Sequence, residues 1–136
     1  MLVYVSSKDC LDIFPLNSAD HFMVKLPMVI SSGKFTKCSL VELSMPLLRG
    51  GDIEAIYVLT NFVTECIVGN KTRPTLFKAL VGNIENIVFG SGKPVYVPVK
   101  NIESDILEVK IVDDSFNKVL TVPGNTYCTF HFLDAE

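Results

Sequence analysis

Two histidines and four cysteines are the residues of this 136-residue chain whose types are best suited to chemistry. His131 follows Cys128 by three positions in "TYCTFHFL", which invites a test for a nucleophile and its base. That segment alternates like a β-strand, however, and residues three apart on a strand point to opposite faces. His21 stands in a second strand-like segment, where an isolated histidine is more often a structural or surface residue than a base. The sequence therefore predicts no catalytic residue and no enzyme.

Metal and phosphate sites also lack the spacing that they require. Cys10, Cys38, Cys66 and Cys128 lie far apart, without the C-x-x-C pairs that hold zinc. A cupin-type enzyme needs a cluster of histidine and carboxylate ligands, which two isolated histidines do not supply. "GSGK" at 90–93 lacks the preceding spacing and the helix of a phosphate-binding loop. We expect no metal and no cofactor and, because no signal peptide is recognisable, four reduced thiols that act as small apolar residues.

The composition is more apolar and less charged than that of a typical soluble monomer. Apolar residues make up 49% of the chain and charged residues 20%, the mean hydropathy is +0.38, and the net charge is −3. The basic residues are scattered singly, which excludes an electrostatic nucleic-acid interface, and no apolar run is long enough for membrane insertion. The length suits a single domain over residues 1–136. The apolar surplus must be buried in a core, in a subunit interface, or in both.

Short strands dominate the pattern. In "VYVPVKNIESDILEVKIVDD", residues 95–114, Val95, Val97 and Val99 share one face, and Glu108 and Lys110 point away from the apolar face of the second half. This segment predicts a hairpin or a strand–corner–strand element. Other strands are predicted at Leu2–Ser6, at Phe22–Leu26 with an end at Pro27, at Lys37–Ser44, once or twice between Gly51 and Gly69, and in "TLFKALVG", "ENIVFG", "KVLTVPG" and "TYCTFHFL".

Helical periodicity is absent from every window of eleven residues, and Ala79–Asn83 would form a helical turn at most. The pattern predicts an all-β chain that folds as an antiparallel β-sandwich of about eight strands in two sheets. A single jelly roll fits this length better than an immunoglobulin domain, which would normally carry a core tryptophan, and the chain has none.

Both ends of the chain carry a wider resemblance. The segments "YVSSKDCLDIFPLNSADHFMVKLP", "KFTKCSLVELSMP" and "YVPVKNIESDILEVKIVDDSFNKVLTVPGNTYCTFHF" follow one another in an order that resembles the single jelly-roll minor capsid, or penton, proteins of Polinton-like elements, adintoviruses and adomaviruses. The resemblance covers residues 4–46 and 95–132. Two positions depart from it: Ser115-Phe116-Asn117 replaces an expected glycine after the acidic turn, and Leu133-Asp134 replaces a basic residue after the final His-Phe.

The resemblance implies a structural function in the virion. Five copies would form a homopentamer at each vertex of an icosahedral capsid, surrounded by a double jelly-roll major capsid protein, with a fibre or receptor as a further partner. Synthesis in the host cytoplasm is implied, with the nucleus as one place of assembly. The alternative is a lectin-like or receptor-binding β-sandwich. Exposed aromatic side chains on loops would favour it, and Phe62 and Phe116 are the candidates, with a place in the core as the alternative for each.

The segment from Ser6 to Asn17 is the candidate subunit interface. It combines Leu11, Ile13, Phe14 and Leu16 with a proline that favours an extended path. The alternative is an ordinary edge strand that packs on its own sandwich. A ring needs two different surfaces that match each other, and a low charge content suits such an interface.

Overall fold

The computed structural model describes residues 1–48, 53–81, 87–90 and 93–135. Over these residues the chain forms strands, turns and loops and contains no helix. The strands are β1 (Leu2–Ser6), β2 (His21–Ser31), β3 (Phe35–Met45), β4 (Ala55–Thr60), β5 (Cys66–Val68), β6 (Lys71–Arg73), β7 (Thr75–Leu80), β8 (Ile87–Gly90), β9 (Val97–Pro98), β10 (Glu103–Asp113) and β11 (Tyr127–Asp134).

The strands form two larger antiparallel sheets and one small hairpin. The first sheet has the order β1-β11-β3-β8, with β9 also paired to β3. The second has the order β2-β10-β4-β7. The hairpin is β5-β6. The inner faces of the two larger sheets enclose one apolar core, so the chain is an antiparallel β-sandwich, as the alternation predicted.

Phenylalanine side chains fill the centre of the core. Phe132 on β11 lies with its ring centroid 5.7 Å from Phe35 on β3 and 6.0 Å from Phe62, and all three are at most 1% exposed. From the second sheet, Leu107 and Val109 on β10 meet this layer with no exposed surface. Tilted and edge-on ring contacts at these distances are the favourable ones for aromatic pairs. The inward alternation predicted for the second half of residues 95–114 is therefore confirmed.

The first half of that segment behaves differently. β9 belongs to the first sheet and β10 to the second, so the corner prediction is correct and the hairpin alternative is wrong. Val99 is buried, but Val95 is 73% exposed, which contradicts the predicted common inward face. Of the predicted strand, Val97 and Pro98 pair with β3 and Val99 forms a single bridge with Val63, because the chain crosses there from one sheet to the other.

The second strand is longer than predicted. β2 continues through Pro27 to Ser31, so the predicted end at Pro27 is wrong. Proline removes one hydrogen-bond donor, which a strand tolerates where that side has no partner. In the described residues β2 pairs with β10 alone and is an edge strand of the second sheet, so the missing N–H is compatible with the ladder.

Three further predictions concern short segments between the main strands. "KVLTVPG" contains two single-residue bridges, from Lys118 to Val112 and from Thr121 to Leu47, and no strand. Ala79 and Leu80 end β7, so the predicted helical turn is wrong there, and its last residues lie outside the described ones. The sequence also predicts turns at Gly50-Gly51, at Gly82-Asn83 and from Gly90 to Gly92, and the first two and residues 91–92 of the third lie outside the described residues.

Candidate subunit interface

The segment between β1 and β2 is a compact loop and not an extended arm. Cys10 adopts a left-handed backbone with φ 55°, and its carbonyl oxygen accepts hydrogen bonds from the N–H groups of Ile13 (3.1 Å) and Phe14 (2.7 Å). The extended path predicted from the Phe-Pro step is therefore wrong. The hydrogen bonds inside the loop outweigh the extended preference that Pro15 imposes on the residue before it.

Side chains at both ends fix this loop to the sandwich. The Asn17 side chain donates to the carbonyl of Met23 on β2 (2.8 Å) and accepts from its N–H (2.9 Å), as a neighbouring strand would. The Asp9 carboxylate accepts from the N–H of Ser6 (2.8 Å). The N–H of Ser7 donates to the Thr126 carbonyl (2.9 Å), just before β11. The loop is thus held in one conformation before any partner binds.

The four predicted interface residues divide into two groups. Leu16 is 93% exposed, Ile13 51% and Leu11 46%, and we call these three side chains the loop patch. Phe14 is half-buried and contributes to the loop itself as well as to its surface. Exposed leucine and isoleucine on an ordered loop are the arrangement that a preorganised protein contact requires, since little conformational freedom is lost on binding.

An apolar groove adjoins this loop on the same flank of the sandwich. It lies between the two edge strands β1 and β2, has a volume of about 290 Å³, and is lined by residues that include Val3, Val5, Val24, Leu26 and Met28. Next to it, on the outer face of the first sheet, Leu2 is 51% and Tyr4 70% exposed. The sequence predicted β1 as a strand but did not identify these two side chains as part of an interface. Their alternation with Val3 and Val5 indicates that they face away from the core.

The histidines are far from each other and each contacts one side chain. The Tyr96 hydroxyl lies 2.8 Å from Nδ1 of His131, and Oε2 of Glu108 lies 3.0 Å from Nε2 of His21. His131 lies on the outer face of β11 while Cys128 is only 2% exposed on its inner face, as the spacing predicted. In the described part of the chain, no three His, Cys, Asp or Glu residues lie together as metal ligands would.

The thiols differ in their surroundings. Burial raises the pKa of both Cys38 and Cys128 to about 12, because a thiolate would lose its hydration in the core. Cys38 pairs with Phe132 and Cys128 with Leu43 across β3 and β11. The two cysteines are therefore four residue positions apart along the ladder, ~13 Å, which is too far for a disulfide. Cys10 and Cys66 are half-buried and also free.

The two aromatic candidates for a binding surface, Phe62 and Phe116, lie in different surroundings. Phe62 has no exposed surface and belongs to the core, so its candidacy is wrong. Phe116 is partly exposed and adopts φ 60°, a backbone that a bulky side chain rarely occupies. Its ring stacks on Tyr57 at 5.6 Å, and the Arg73 guanidinium lies 5.0 Å from its centroid. The sequence showed that Ser115-Phe116-Asn117 stands where a glycine was expected, but it did not indicate the contacts with Tyr57 and Arg73.

Comparisons with known proteins leave the chain without a family assignment. No model of a known protein family matches the chain, and no curated protein sequence matches it significantly. Among the described residues there is no helix of the length and apolar character that crossing a membrane would take.

Proposed function

We propose that this β-sandwich is a single jelly roll. Its support is the nested order of the eight main strands: β1 pairs with β11, β2 with β10, β3 with β8, and β4 with β7, each antiparallel. A chain doubled back on itself in this way and rolled up gives two four-stranded sheets joined by Greek-key connections. The β5-β6 hairpin and the two-residue β9 are additions to this scheme, which accounts for the excess over the expected eight strands.

We propose further that the protein is a minor capsid protein that forms pentamers at the vertices of an icosahedral capsid, beside a double jelly-roll major capsid protein. The nested strand order carries this proposal, because it is the architecture that the resemblance over residues 4–46 and 95–132 implies. The exposed apolar side chains agree with it. Leu16, Leu2 and Val88 are each more than half exposed, and a chain that works in an assembly would bury such surface.

Labelling of virus particles tests this function. An antibody fragment against the chain, imaged on purified particles by electron cryomicroscopy, should decorate the five-fold vertices and leave the facets bare. Fragments bound to the facets, or particles that lack the chain altogether, would refute the proposal. Antibody against the major capsid protein serves as the positive control, since it should decorate every facet.

A second candidate, a receptor-binding or lectin-like module, is favoured by the Phe116 cluster. Holding a bulky residue at φ 60° costs on the order of 1–2 kcal/mol, and such strain occurs where a side chain must be presented at a fixed place. The Asp113 side chain imposes the turn by accepting from the N–H groups of Ser115 (2.8 Å) and Asn117 (2.9 Å). Arg73 on Phe116 and Lys78 near Tyr57 add two cations to the aromatic surface.

Attachment assays separate the two candidates. The variant Phe116→Gly removes the ring and relieves the strained backbone, so the gain from the relieved strain offsets part of the lost contacts with Tyr57 and Arg73 and the variant should still fold. If the module binds a receptor, particles or protein carrying Phe116→Gly should lose attachment to host cells. If the chain only builds the vertex, attachment should not change and the vertices should remain decorated.

A further inference from the structure

The free edge of β1 exposes unpaired main-chain groups. Main-chain hydrogen bonds join Met1 to Phe132 in both directions, and the N–H of Ser7 to the Thr126 carbonyl. Because bonded and non-bonded positions alternate along an antiparallel ladder, Val3 and Val5 also bond to β11. The N–H and C=O groups of Leu2 and Tyr4 therefore point away from the sheet.

The neighbouring edge strand β2 is protected where β1 is not. The Asn17 side chain bonds both main-chain groups of Met23, Cys10 Sγ lies 3.9 Å from the Lys25 carbonyl oxygen, and Pro27 has no N–H to offer. Proline, lysine and covering loops are the usual means by which proteins prevent pairing at an edge. β1, with the sequence LVYVS, has none of them up to Tyr4, and only its last residue, Ser6, is capped by Asp9.

The opposite edge of the same sheet is also free of charge and proline. β8, with the sequence IVFG, pairs with β3 on one side, and no strand of the described chain lies on its other side. The same alternation of bonded positions continues through β11 and β3, so Leu43 on β3 forms main-chain hydrogen bonds with Phe89 on β8. The main-chain groups of Val88 and Gly90 therefore point to the free edge. The Val88 side chain is 76% exposed, whereas Phe89 packs inward against Phe77 at 6.1 Å.

The two free edges match each other in hydrogen bonding and in face. The path β1-β11-β3-β8 contains four antiparallel strands, so β1 and β8 run in opposite directions. A rotation about an axis along the strands keeps those directions and brings β1 of one copy beside β8 of the next as an antiparallel pair. The register that pairs all four free residues places Tyr4 opposite Val88 and Leu2 opposite Gly90, and it keeps the outward and inward side chains of both strands on their own faces.

We infer that β1 adds to the β8 edge of a second copy of this chain, so that the first sheet continues from copy to copy around the ring. This inference rests on the proposed function, which requires a head-to-tail contact. The loop patch of Leu11, Ile13 and Leu16 lies on the loop that begins directly after β1. If β1 paired with β1 of a second copy about a two-fold axis, the main-chain groups of Leu2 and Tyr4 would also gain partners. That assembly would stop at two copies, and the β8 edge at Val88 would remain unpaired.

A disulfide trap tests this contact. The background variant carries Cys10→Ser and Cys66→Ser, which leaves only the two buried thiols, and to it Tyr4→Cys and Val88→Cys are added together. Directly opposite, hydrogen-bonded residues have Cα atoms about 5.5 Å apart, within the range that a disulfide spans. Mild oxidation of the concentrated protein should give a ladder of covalent oligomers that ends at five copies on non-reducing gels.

Matched variants identify the geometry. Each single variant, Tyr4→Cys or Val88→Cys, should stay uncrosslinked alone, and an equal mixture of the two should give covalent dimers only. A Leu2→Cys/Tyr4→Cys variant reports the two-fold alternative, and dimers from it, or no crosslink between Tyr4→Cys and Val88→Cys, would overturn the inference. If the vertices are labelled but this crosslink does not form, the β1–β8 contact is wrong and the capsid function stands. If the crosslinked ring forms but the chain is absent from the vertices, the contact stands and the capsid function is wrong.

Discussion

Four of the described residues have a positive φ, and each fixes the backbone conformation at its own position. Cys10 and Phe116 carry side chains there, at 55° and 60°, while Gly69 and Gly124 lie at 64° and 152°. The two glycines differ in their surroundings. A Cβ on Gly69 would meet nothing within 4 Å, but a Cβ on Gly124 would lie 3.2 Å from Cβ of Pro46. At Gly124 the backbone also occupies a region that is open to glycine and closed to other residues.

The first prediction follows from this difference. Gly124→Ala should lower the free energy of unfolding by about 2–3 kcal/mol, from strain and the Pro46 contact together. Gly69→Ala should cost about 1 kcal/mol, because it meets only the left-handed backbone penalty. Urea unfolding followed by circular dichroism measures both. Equal losses in the two variants would contradict the proposed role of Pro46.

The buried thiols give the second prediction. Burial raises the pKa of Cys38 and Cys128 from the ordinary value of 9.0 to about 12, so the folded state keeps two protons that the unfolded state loses above pH 9. Stability should therefore be unaffected by these thiols below pH 9 and fall as the pH rises from 9 towards 12, by at most about 1.4 kcal/mol per pH unit for each thiol. The double variant Cys38→Ala/Cys128→Ala should show a shallower decline. The comparison uses the slope and not the absolute stability, since the substitutions also leave small cavities.

Alkylation provides an independent measurement on the same thiols. In the folded protein at pH 8, iodoacetamide should modify Cys38 and Cys128 far more slowly than the two half-buried cysteines, and mass spectrometry resolves the positions. In urea all four should react. Fast labelling of Cys128 in the folded state would show that β11 opens locally.

The loop between β1 and β2 shows at the level of elements what one side chain can organise. Asn17 satisfies both main-chain groups of Met23 and also donates to the carbonyl of Asp9 (3.2 Å). The carboxamide thus replaces a neighbouring strand along one residue of the β2 edge. It also closes the loop on itself at Asp9. The loop patch owes its fixed position to this residue.

Replacing Asn17 is the third prediction. Asn17→Ala should destabilise the fold by about 1–3 kcal/mol, because the main-chain groups of Met23 lose their partner. The loop should also become susceptible to proteolysis at residues 8–16. Asn17→Asp keeps the acceptor for the Met23 N–H and loses the donor, so its stability and cleavage rate should lie between those of the parent and of Asn17→Ala. An unchanged cleavage rate in Asn17→Ala would show that other contacts hold the loop.

The sequence pattern allowed strands to be predicted more readily than edges. Alternation and turn residues placed most of the longer strands and the inward faces of β10 and β11, because the period of a strand is visible locally. It did not reveal that Pro27 lies within β2, because whether proline fits depends on which side of the strand has a partner. It also did not reveal the compact loop at Leu11–Leu16, because that loop depends on the left-handed backbone at Cys10 and on the bonds from Asn17 to Met23, neither of which leaves a periodic pattern.

At the scale of the whole molecule, two sheets and one core account for only part of the apolar surplus. The core takes up the buried phenylalanines and aliphatic residues, yet Leu2, Leu16, Leu80 and Val88 remain more than half exposed. Composition predicted that the surplus would be buried in a core, in a subunit interface, or in both. Which residues belong to which could not follow from composition, because that division depends on which strands lie at the two edges of the first sheet.

The last prediction tests the loop patch as part of the ring. Phe14 is half-buried, so an aspartate in its place would also disturb the loop, and Leu16 is the better position to test. Leu16 is 93% exposed, and Leu16→Asp should leave the unfolding midpoint unchanged. If Leu16 is a buried anchor in the assembly, Leu16→Asp should weaken association by about 2 kcal/mol, close to thirtyfold.

Ile67→Asp, at a side chain 79% exposed on the separate β5-β6 hairpin, is the matched control. Sedimentation of concentrated protein, and incorporation of each variant into particles in competition with the parent chain, measure the effect. Equal incorporation of Leu16→Asp and Ile67→Asp would place the ring contact elsewhere on the molecule.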